Sequence, residues 1–154
     1  MGCSKWGDYK LVSENFKYKV TFPEKWVVSD RSDDVNDYAV GTLDELEGAR
    51  IIIKARPVAR DVSPNEVYPS FLEGGGDQHA LSEFRVTERG TIAAKNVEGR
   101  MIRFEYLSSV GTISGKRGIF LGDRYILEIS AEVPKEFLNQ WEYEFRTMFS
   151  EIEL

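Results

Sequence analysis

Apolar and polar residues alternate most regularly in the last third of the chain, and the pattern predicts consecutive strands. Over residues 100–106 and 125–131 every second side chain is apolar, which is the period of a half-buried β-strand. Residues 116–121 predict a third strand between these two. Glycine-containing turns at residues 111–115 and 122–123 would join the three strands, because glycine adopts the positive φ that tight turns need. The segment therefore predicts an antiparallel meander.

An aromatic stripe follows the meander and predicts a helix that closes the fold. Phe137, Trp141, Phe145 and Phe149 recur every four residues, so they lie along one side of a helix. Pro134 fits the first helical turn, because the N–H that it lacks would be unpaired there. Since the meander offers an apolar face, we expect the helix to dock on its own sheet.

The first half of the chain contains shorter strand patterns. Strict alternation over residues 16–22 predicts a strand that ends at Pro23, and residues 26–28 predict another. The run Ile51-Ile52-Ile53 lies within a further predicted strand, residues 49–57. A run of β-branched residues is typical of a strand covered on both faces. We therefore expect a central strand here, with layers above and below the sheet.

A short helix is predicted after residue 63. Ser63 is a favourable N-cap, Pro64 suits the first helical position, and Glu66 completes a capping box. The helix should end at the three consecutive glycines, residues 74–76, since glycine is costly inside helices and strands.

The glycine loop, residues 74–82, contains the single histidine of the chain. Asp77 and His79 are a weak metal-binding candidate, because two ligands are too few without partners from elsewhere in the fold. The alternative interpretation is an exposed, solvated histidine. The acidic segment at residues 29–37 lacks the glycine and glutamate spacing of a calcium loop, so we expect a solvated loop there.

Composition limits the classes of function. The length of 154 residues predicts one domain, which we place at residues 16–154 after a flexible tether at residues 1–15. The net charge of -6 disfavours nucleic-acid binding, which needs a basic surface. The single cysteine excludes an internal disulfide, and no apolar run approaches the ~20 residues of a membrane helix.

The N-terminal sequence Met-Gly-Cys-Ser has two interpretations. It is similar to the cleavage site of a bacterial lipoprotein whose signal peptide has been replaced by an initiating methionine, in which case Cys3 carries the lipid. Alternatively, Cys3 is an ordinary thiol in a frayed terminus. N-myristoylation is disfavoured, because Trp6 stands where that motif requires Ser or Thr. A lipidated Cys3 would hold a folded domain at the extracytoplasmic face of a bacterial membrane.

No catalytic motif emerges from the sequence. The glycine-containing segment at residues 111–117 is one residue short of a phosphate loop, and Arg117 stands where Ser or Thr would hold magnesium. A Ser-His-Asp site is improbable with only His79 available. We therefore predict a protein that is not an enzyme and that uses no cofactor.

Five basic residues are concentrated in the predicted meander. On one outward face they would form a basic patch suited to an acidic protein partner or to lipid headgroups. Interleaved opposite charges favour the alternative, cross-strand pairing with Glu105 and Glu128. The five residues are Arg100, Arg103, Lys116, Arg117 and Arg124.

Several segments resemble those of a known protein family. Residues 18–26, Tyr-Lys-Val-Thr-Phe-Pro-Glu-Lys-Trp, resemble the Y-x-V-x-F-P-x-x-W opening of PsbP-like proteins. Residues 99–106, 123–127 and 141–149 resemble the closing hairpin and helix of the same family. Its members include the extrinsic PsbP subunit of photosystem II, DcrB-like bacterial lipoproteins and Ran-binding proteins of the Mog type. The resemblance extends over nearly the whole chain from Phe16, and its motifs are structural rather than catalytic.

The resemblance implies an α+β fold, an α/β/α sandwich on a central, mostly antiparallel sheet. It also implies an accessory role without catalysis, often at a membrane surface. We therefore expect a lipid-anchored extracytoplasmic protein that docks on another protein or complex. The alternative is a domain that binds a small ligand or a divalent metal.

Overall fold

The computed structural model describes residues 9–58 and 63–154 of the chain. Its strands are β1 Tyr9–Val12, β2 Lys19–Phe22, β3 Val27–Asp30, β4 Asp37–Thr42, β5 Arg50–Pro57, β6 Arg85–Ala93, β7 Glu98–Ser108, β8 Gly111–Gly122 and β9 Tyr125–Pro134. Its α-helices are α1 Pro64–Leu72, α2 Asp77–Ala80 and α3 Leu138–Ser150.

The strands build a seven-stranded antiparallel sheet and a separate hairpin. The strand order in the large sheet is β3-β4-β5-β9-β8-β7-β6, and β1 pairs with β2. Side chains alternate between the two faces of a sheet, and here α3 packs on one face and α1 on the other. The predicted α+β fold, an α/β/α sandwich on an antiparallel sheet, is therefore confirmed.

The aromatic stripe of α3 forms the larger core, together with the β1–β2 hairpin. Trp141, Phe145 and Phe149 are buried as predicted, but the helix begins at Leu138 and not near Pro134. Pro134 instead ends β9 in an extended conformation, with φ -53° and ψ 137°. The fixed φ of proline suits this conformation, and a strand end tolerates the missing N–H. A single 3-10 turn then leads into α3.

The predicted meander is β7, β8 and β9, with one corrected turn. Residues 111–115 do not form the turn; they begin β8, and the chain reverses at residues 109–110. Gly115 is glycine for a packing reason, because a Cβ at this position would lie 2.5 Å from the ring of Phe104 on the neighbouring strand. A glycine inside a strand often marks such a close approach. The presence of glycine was therefore not sufficient to predict the position of the turn.

The smaller core lies between α1 and the sheet, and α1 covers only part of this face of the sheet. Phe71 packs there with Ile102 and Phe104 of β7. Within the described ranges no helix covers β4 and β5 on this side, and Ile52 is only half-buried, whereas Ile51 and Ile53 are fully buried on the α3 side. The prediction that this run is covered on both faces is therefore wrong for Ile52.

We call the uncovered area the open face. It consists of alternate residues of β4, β5 and β9, which are directly opposite one another in register. The open face contains Tyr38, Val40, Arg50, Ile52, Lys54, Arg56, Glu128, Ser130 and Glu132.

The domain begins earlier than predicted. β1 pairs with β2 in register, and Leu11 is buried in the larger core. The expected tether over residues 1–15 is therefore too long, because residues 9–15 belong to the fold. Residues 1–8, with the proposed lipidation site Cys3, lie outside the described residues. Each helix of the described ranges is too short or too polar to cross a bilayer.

The start of α1 gives a first testable effect. Ser63 Oγ accepts a hydrogen bond from the N–H of Asn65 at 3.2 Å, so Ser63 is the predicted N-cap. The bond goes to Asn65, and the capping box with Glu66 is not formed in the described structure. We expect Ser63→Ala to lower the free energy of unfolding by about 1 kcal/mol in urea denaturation. Ser70→Ala, an exposed serine within the same helix, is the control, and an equal loss in both variants would contradict the capping role.

Candidate functional site

A cleft of about 360 Å³ lies at one side of the open face. Its floor includes Ile52, Ser130 and Arg117, which are neighbours in register on β5, β9 and β8. Its opposite wall is the glycine turn, residues 74–76, together with Asp77. Small-ligand pockets usually have volumes of roughly 300–1,000 Å³, so the cleft lies at the small end of that range.

The glycine turn ends α1 and brings backbone close to the sheet. Gly74 and Gly75 have φ of +100° and +63°, in the left-handed region that favours glycine. The N–H of Gly75 donates to the carbonyl of Ser70 at 2.9 Å, which caps the helix. A Cβ on Gly74 would lie 2.5 Å from the ring of Phe84. The three glycines therefore form a compact turn, and the predicted loop contains the short helix α2 after it.

Arg117 holds this turn to the sheet. Its Nη2 lies 2.7 Å from Asp77 Oδ2, and its guanidinium stacks over the ring of Phe104, 4.7 Å from the centroid. The Arg117 side chain is only 15% exposed, so the ion pair is partly shielded from water and is stronger than a surface pair. The cleft wall is thus fixed by a charge-assisted contact between residues 40 positions apart in the sequence.

The predicted metal ligands do not converge. Asp77 pairs with Arg117, and His79 is exposed on α2. Among the described residues no group of three potential ligands lies close enough to hold a metal ion. The metal site at Asp77 and His79 therefore stays a prediction without a third ligand.

A second ion pair lies at the far end of the cleft. Glu132 is only 3% exposed, and its Oε1 accepts from Arg50 Nε at 3.0 Å and from Nη2 at 2.7 Å. Burial lowers the pKa of Arg50, but Glu132 and the Tyr106 hydroxyl outweigh it and raise the pKa overall. Arg50 therefore stays charged and holds the buried carboxylate in place.

The cleft also contains polar groups that have no partner in the described structure. Ser130 is 8% exposed, and its hydroxyl has no hydrogen-bond partner among the described residues. Lys54 and Glu128 are directly opposite each other on β5 and β9. They form no ion pair within residues 9–58 and 63–154, unlike Arg50 and Glu132. The part of the cleft formed by Ser130, Lys54 and Glu128 therefore has hydrogen-bonding groups that the described residues leave without a partner.

The five basic residues predicted to bind a partner lie on different sides of the sheet. Arg100 and Arg117 are on the α1 side, where Arg100 stacks 4.9 Å over the ring of Tyr68. Arg103 and Lys116, opposite each other in register, are on the α3 side. Arg124 is exposed in the turn between β8 and β9. A single patch of all five is therefore not formed.

The two cations on the α3 side lie in a half-buried network. Arg103 Nη2 is 2.5 Å from Glu142 Oε1 of α3, and its Nε is 3.2 Å from Glu88. Burial, with the neighbouring Arg103, lowers the pKa of Lys116. Glu105, expected to pair with this group, instead contacts two other cations, Arg85 and Lys135. Arg103 thus links the sheet to α3 through Glu142, and the role of Arg103 and Lys116 in partner binding stays a prediction.

A different basic group emerges on the open face, and the sequence analysis missed it. Arg50, Lys54 and Arg56 project from the same side of β5 and are exposed. Arg124 is close to the end of β5, because its carbonyl accepts from the N–H of Val58 at 3.0 Å. The signal was present: Arg50, Lys54 and Arg56 are separated by even numbers of positions, so they share one face of a strand. We call Arg50, Lys54, Arg56 and Arg124 the basic strip.

Comparison with solved structures identifies proteins of similar fold. Cyanobacterial PsbP (CyanoP) from Synechocystis superposes with a TM-score of 0.70 and 11% identity, over 100% of this chain and 98% of that chain. LpqN, involved in cell envelope biogenesis of Mycobacterium tuberculosis, gives 0.62 and 12%, over 90% and 84% of the two chains. A protein from Bacteroides thetaiotaomicron gives 0.60 and 10%, over 97% of this chain and 48% of that chain. No family model and no curated protein matches the sequence.

At such low identities the likeness establishes the fold, and function has to be argued from the site itself. CyanoP covers the whole of this chain, from the N-terminal hairpin to α3. The resemblance predicted from residues 18–26 and from the closing hairpin and helix is thus confirmed in three dimensions: the chain has the PsbP-like fold.

Proposed function

We propose that this protein is a non-enzymatic binding protein that docks on an acidic protein partner through the basic strip. The observation that carries the proposal is the position of the strip. Three exposed cations, Arg50, Lys54 and Arg56, lie on the sheet face that no helix covers within the described residues. Arg124 is exposed in the turn beside the end of β5, and the protein has a net charge of -6. The positive electrostatic potential of these cations raises the encounter rate with an acidic partner and disfavours binding of basic proteins.

The two acids of β9 on the open face, Glu128 and Glu132, are less exposed than the cations opposite them on β5. Glu132 is 3% exposed, whereas the side chain of Arg50 is 45% exposed. Glu128 is half-buried, and Lys54 opposite it is exposed. A partner therefore approaches guanidinium and ammonium groups first. Half-buried apolar side chains of the open face lie between these charges and supply area for contact; they are Tyr38, Val40 and Ile52.

A binding role agrees with the chemistry of the described residues. A buried serine and carboxylate, Ser13 and Asp37, do hydrogen-bond at 2.5 Å. However, the single histidine, His79, is exposed on α2 in another part of the fold, so the arrangement lacks the base that activates a serine. The Ser13–Asp37 contact fits a structural role.

We further propose that a lipid on Cys3 tethers the domain to the extracytoplasmic face of a bacterial membrane. The support is the lipoprotein-like sequence around Cys3 and the position of β1, the first strand of the described residues, which begins at Tyr9. A tether of about six residues spans roughly 20 Å when extended. It would hold the domain against the membrane and would raise the local concentration of a membrane-bound partner.

Crosslinking with mass spectrometry on membranes of the native host tests the docking. We expect one membrane complex to be captured by the wild type and to be lost with Arg56→Glu/Arg124→Glu, because reversed charges repel an acidic partner. Arg31→Glu/Arg146→Glu is the matched control, since both arginines are exposed outside the strip. Equal capture by the two double variants would overturn the role of the strip.

The same experiment with Cys3→Ala tests the tether separately. We expect this variant to leave the membrane fraction and to capture less of the complex, while the purified domain still binds the partner in solution. Unchanged membrane fractionation of Cys3→Ala would exclude the lipid anchor and leave the docking proposal intact.

A further inference from the structure

We propose that the cleft beside the glycine turn binds a small zwitterion, of amino-acid to dipeptide size. In this arrangement the carboxylate of the ligand contacts Lys54, its ammonium group contacts Glu128, and Ser130 supplies a hydrogen bond at the floor. The inference is tested separately from the docking proposal: Lys54 belongs to both the basic strip and the cleft, but the docking test changes only Arg56 and Arg124.

The hydroxyl of Ser130 points to a missing ligand. It is buried, with the side chain only 8% exposed, and it has no partner among the described residues. A buried hydroxyl without a hydrogen bond is unfavourable, so native structures rarely keep one. Ser130 lines the cleft next to Arg117 in register, so a ligand in the cleft is placed to complete its hydrogen bonding.

The charges of the cleft indicate the chemical class of the ligand. Six charged side chains line it, and four of them form two ion pairs, Arg50 with Glu132 and Arg117 with Asp77. The remaining two, Lys54 and Glu128, have opposite sign and are directly opposite in register. A simple anion would be repelled by Glu128, and a simple cation by Lys54. A dipolar molecule is attracted by both residues.

The geometry suits a short molecule. Opposite residues of an antiparallel pair have Cβ atoms roughly 5 Å apart, and the flexible side chains of lysine and glutamate adjust to charges a few ångströms apart. The Arg50–Glu132 pair holds one end of the cleft and the Arg117–Asp77 pair holds its glycine wall, so little ordering is needed on binding. At about 360 Å³ the cleft has room for one or two residues of a peptide and is too small for a folded partner.

Titration of the purified, uniformly 15N-labelled protein, followed by two-dimensional NMR, tests the inference. The probes are glycine and glycylglycine, with acetate and methylammonium as analogues that carry a single charge. We expect saturable shifts at the amides of Ile52, Ser130 and Gly76 with a zwitterion, and an apparent Kd of about 1 mM. The single-charge analogues should bind at least about tenfold more weakly, since each engages only one of the two charges.

Two variants locate the site. Ser130→Ala should weaken binding about tenfold through the lost hydrogen bond. Ser114→Ala, also a buried serine but on the α3 side of β8, should not change it. Gly76→Leu should abolish binding by filling the cleft, because a Cβ on Gly76 meets nothing within 4 Å and its φ of -89° suits any residue.

Three outcomes would overturn the inference. The first is the absence of saturable shifts up to about 50 mM of either zwitterion, which would indicate that Lys54 and Glu128 simply pair with each other in solution. The second is equal affinity for the zwitterions and acetate. The third is unchanged binding in both Ser130→Ala and Gly76→Leu, with spectra that show both variants folded. None of these outcomes affects the test of the basic strip, which changes only Arg56 and Arg124.

Discussion

Replacing Asp37 with alanine is expected to lower the free energy of unfolding by about 3–5 kcal/mol. Asp37 is 6% exposed at the start of β4 and accepts three hydrogen bonds. Oδ2 accepts from Ser13 Oγ at 2.5 Å and from the Tyr18 hydroxyl at 2.7 Å, and Oδ1 accepts from Asn15 Nδ2 at 2.8 Å. These bonds connect the β1–β2 hairpin to the large sheet.

The expected loss is large because two buried donors, Ser13 and Tyr18, would remain without their acceptor. Asn15 is exposed and also donates to the carbonyl of Asp33. A buried polar group without a partner costs about 1–3 kcal/mol, and bonds to a carboxylate are stronger than those between neutral groups. Ser13 and Tyr18 are both buried, and water reaches them poorly. We therefore also expect hydrogen exchange to accelerate in β1 and β2 before it does in the rest of the fold.

Urea denaturation of two variants, with an exposed control, measures the effect. Asp37→Asn keeps one oxygen acceptor and the shape of the side chain, so its loss should be smaller than that of Asp37→Ala. Asp34→Ala removes a carboxylate from the exposed loop before β4 and should change stability by less than about 0.5 kcal/mol. If Asp37→Ala and Asp34→Ala lose the same free energy, the hairpin is held by its apolar contacts alone.

Asp37 also illustrates which features the sequence could not predict. In the sequence it ends a run of acidic residues, and the run was interpreted as one solvated loop. The loop interpretation is correct for Asp33 and Asp34, which are exposed. The role of Asp37 depends on Ser13 and Tyr18, which are 24 and 19 positions away. The periodicity of apolar residues predicts which nearby residues share a face with a given residue. It does not predict contacts with residues that are distant in the sequence.

The same limit separates the fold from the candidate site. The core of α3 was predictable, since a repeat of four residues is a local pattern that burial alone explains. The cleft was not, because it is formed where the glycine turn meets the sheet through the pair of Asp77 and Arg117 of β8. Three errors have local causes. Pro134 is compatible both with a first helical turn and with the end of a strand. The glycines at residues 111–115 are compatible with both a hairpin turn and a strand. Ile52 has the same apolar character as its buried neighbours.

Raising the pH from about 9 to about 11 is expected to lower the free energy of unfolding by about 2–4 kcal/mol without any substitution. Three tyrosines are buried, namely Tyr18, Tyr106 and Tyr125. Burial is the main reason why the pKa of Tyr106 and the pKa of Tyr125 rise to about 12, with Glu132 and Asp123 respectively as further causes. Burial and the hydrogen bond to Asp37 raise the pKa of Tyr18 still further.

The sign follows from the number of protons bound in each state. An unfolded tyrosine loses its proton near pH 10, whereas the folded protein retains these three protons to about pH 12 or above. Above pH 10 the unfolded chain therefore binds fewer protons, and stability falls by at most about 1.4 kcal/mol per pH unit for each tyrosine. Below pH 10 both states are protonated, so the contribution is fully present and independent of pH.

Urea denaturation at a series of pH values, with tyrosinate absorbance followed on the same samples, tests this. Tyr125→Phe should flatten the pH dependence by about one third, since it removes one of three linked protons. Tyr143→Phe changes a tyrosine that is 66% exposed and should leave the dependence unaltered. If all seven tyrosines ionised near pH 10 in the folded protein, the buried phenols would have to be reached by water. The packing of Tyr18 and Tyr125 between the hairpin and the sheet would then be looser than their contacts indicate, and the stabilising role of Asp37 would weaken with it.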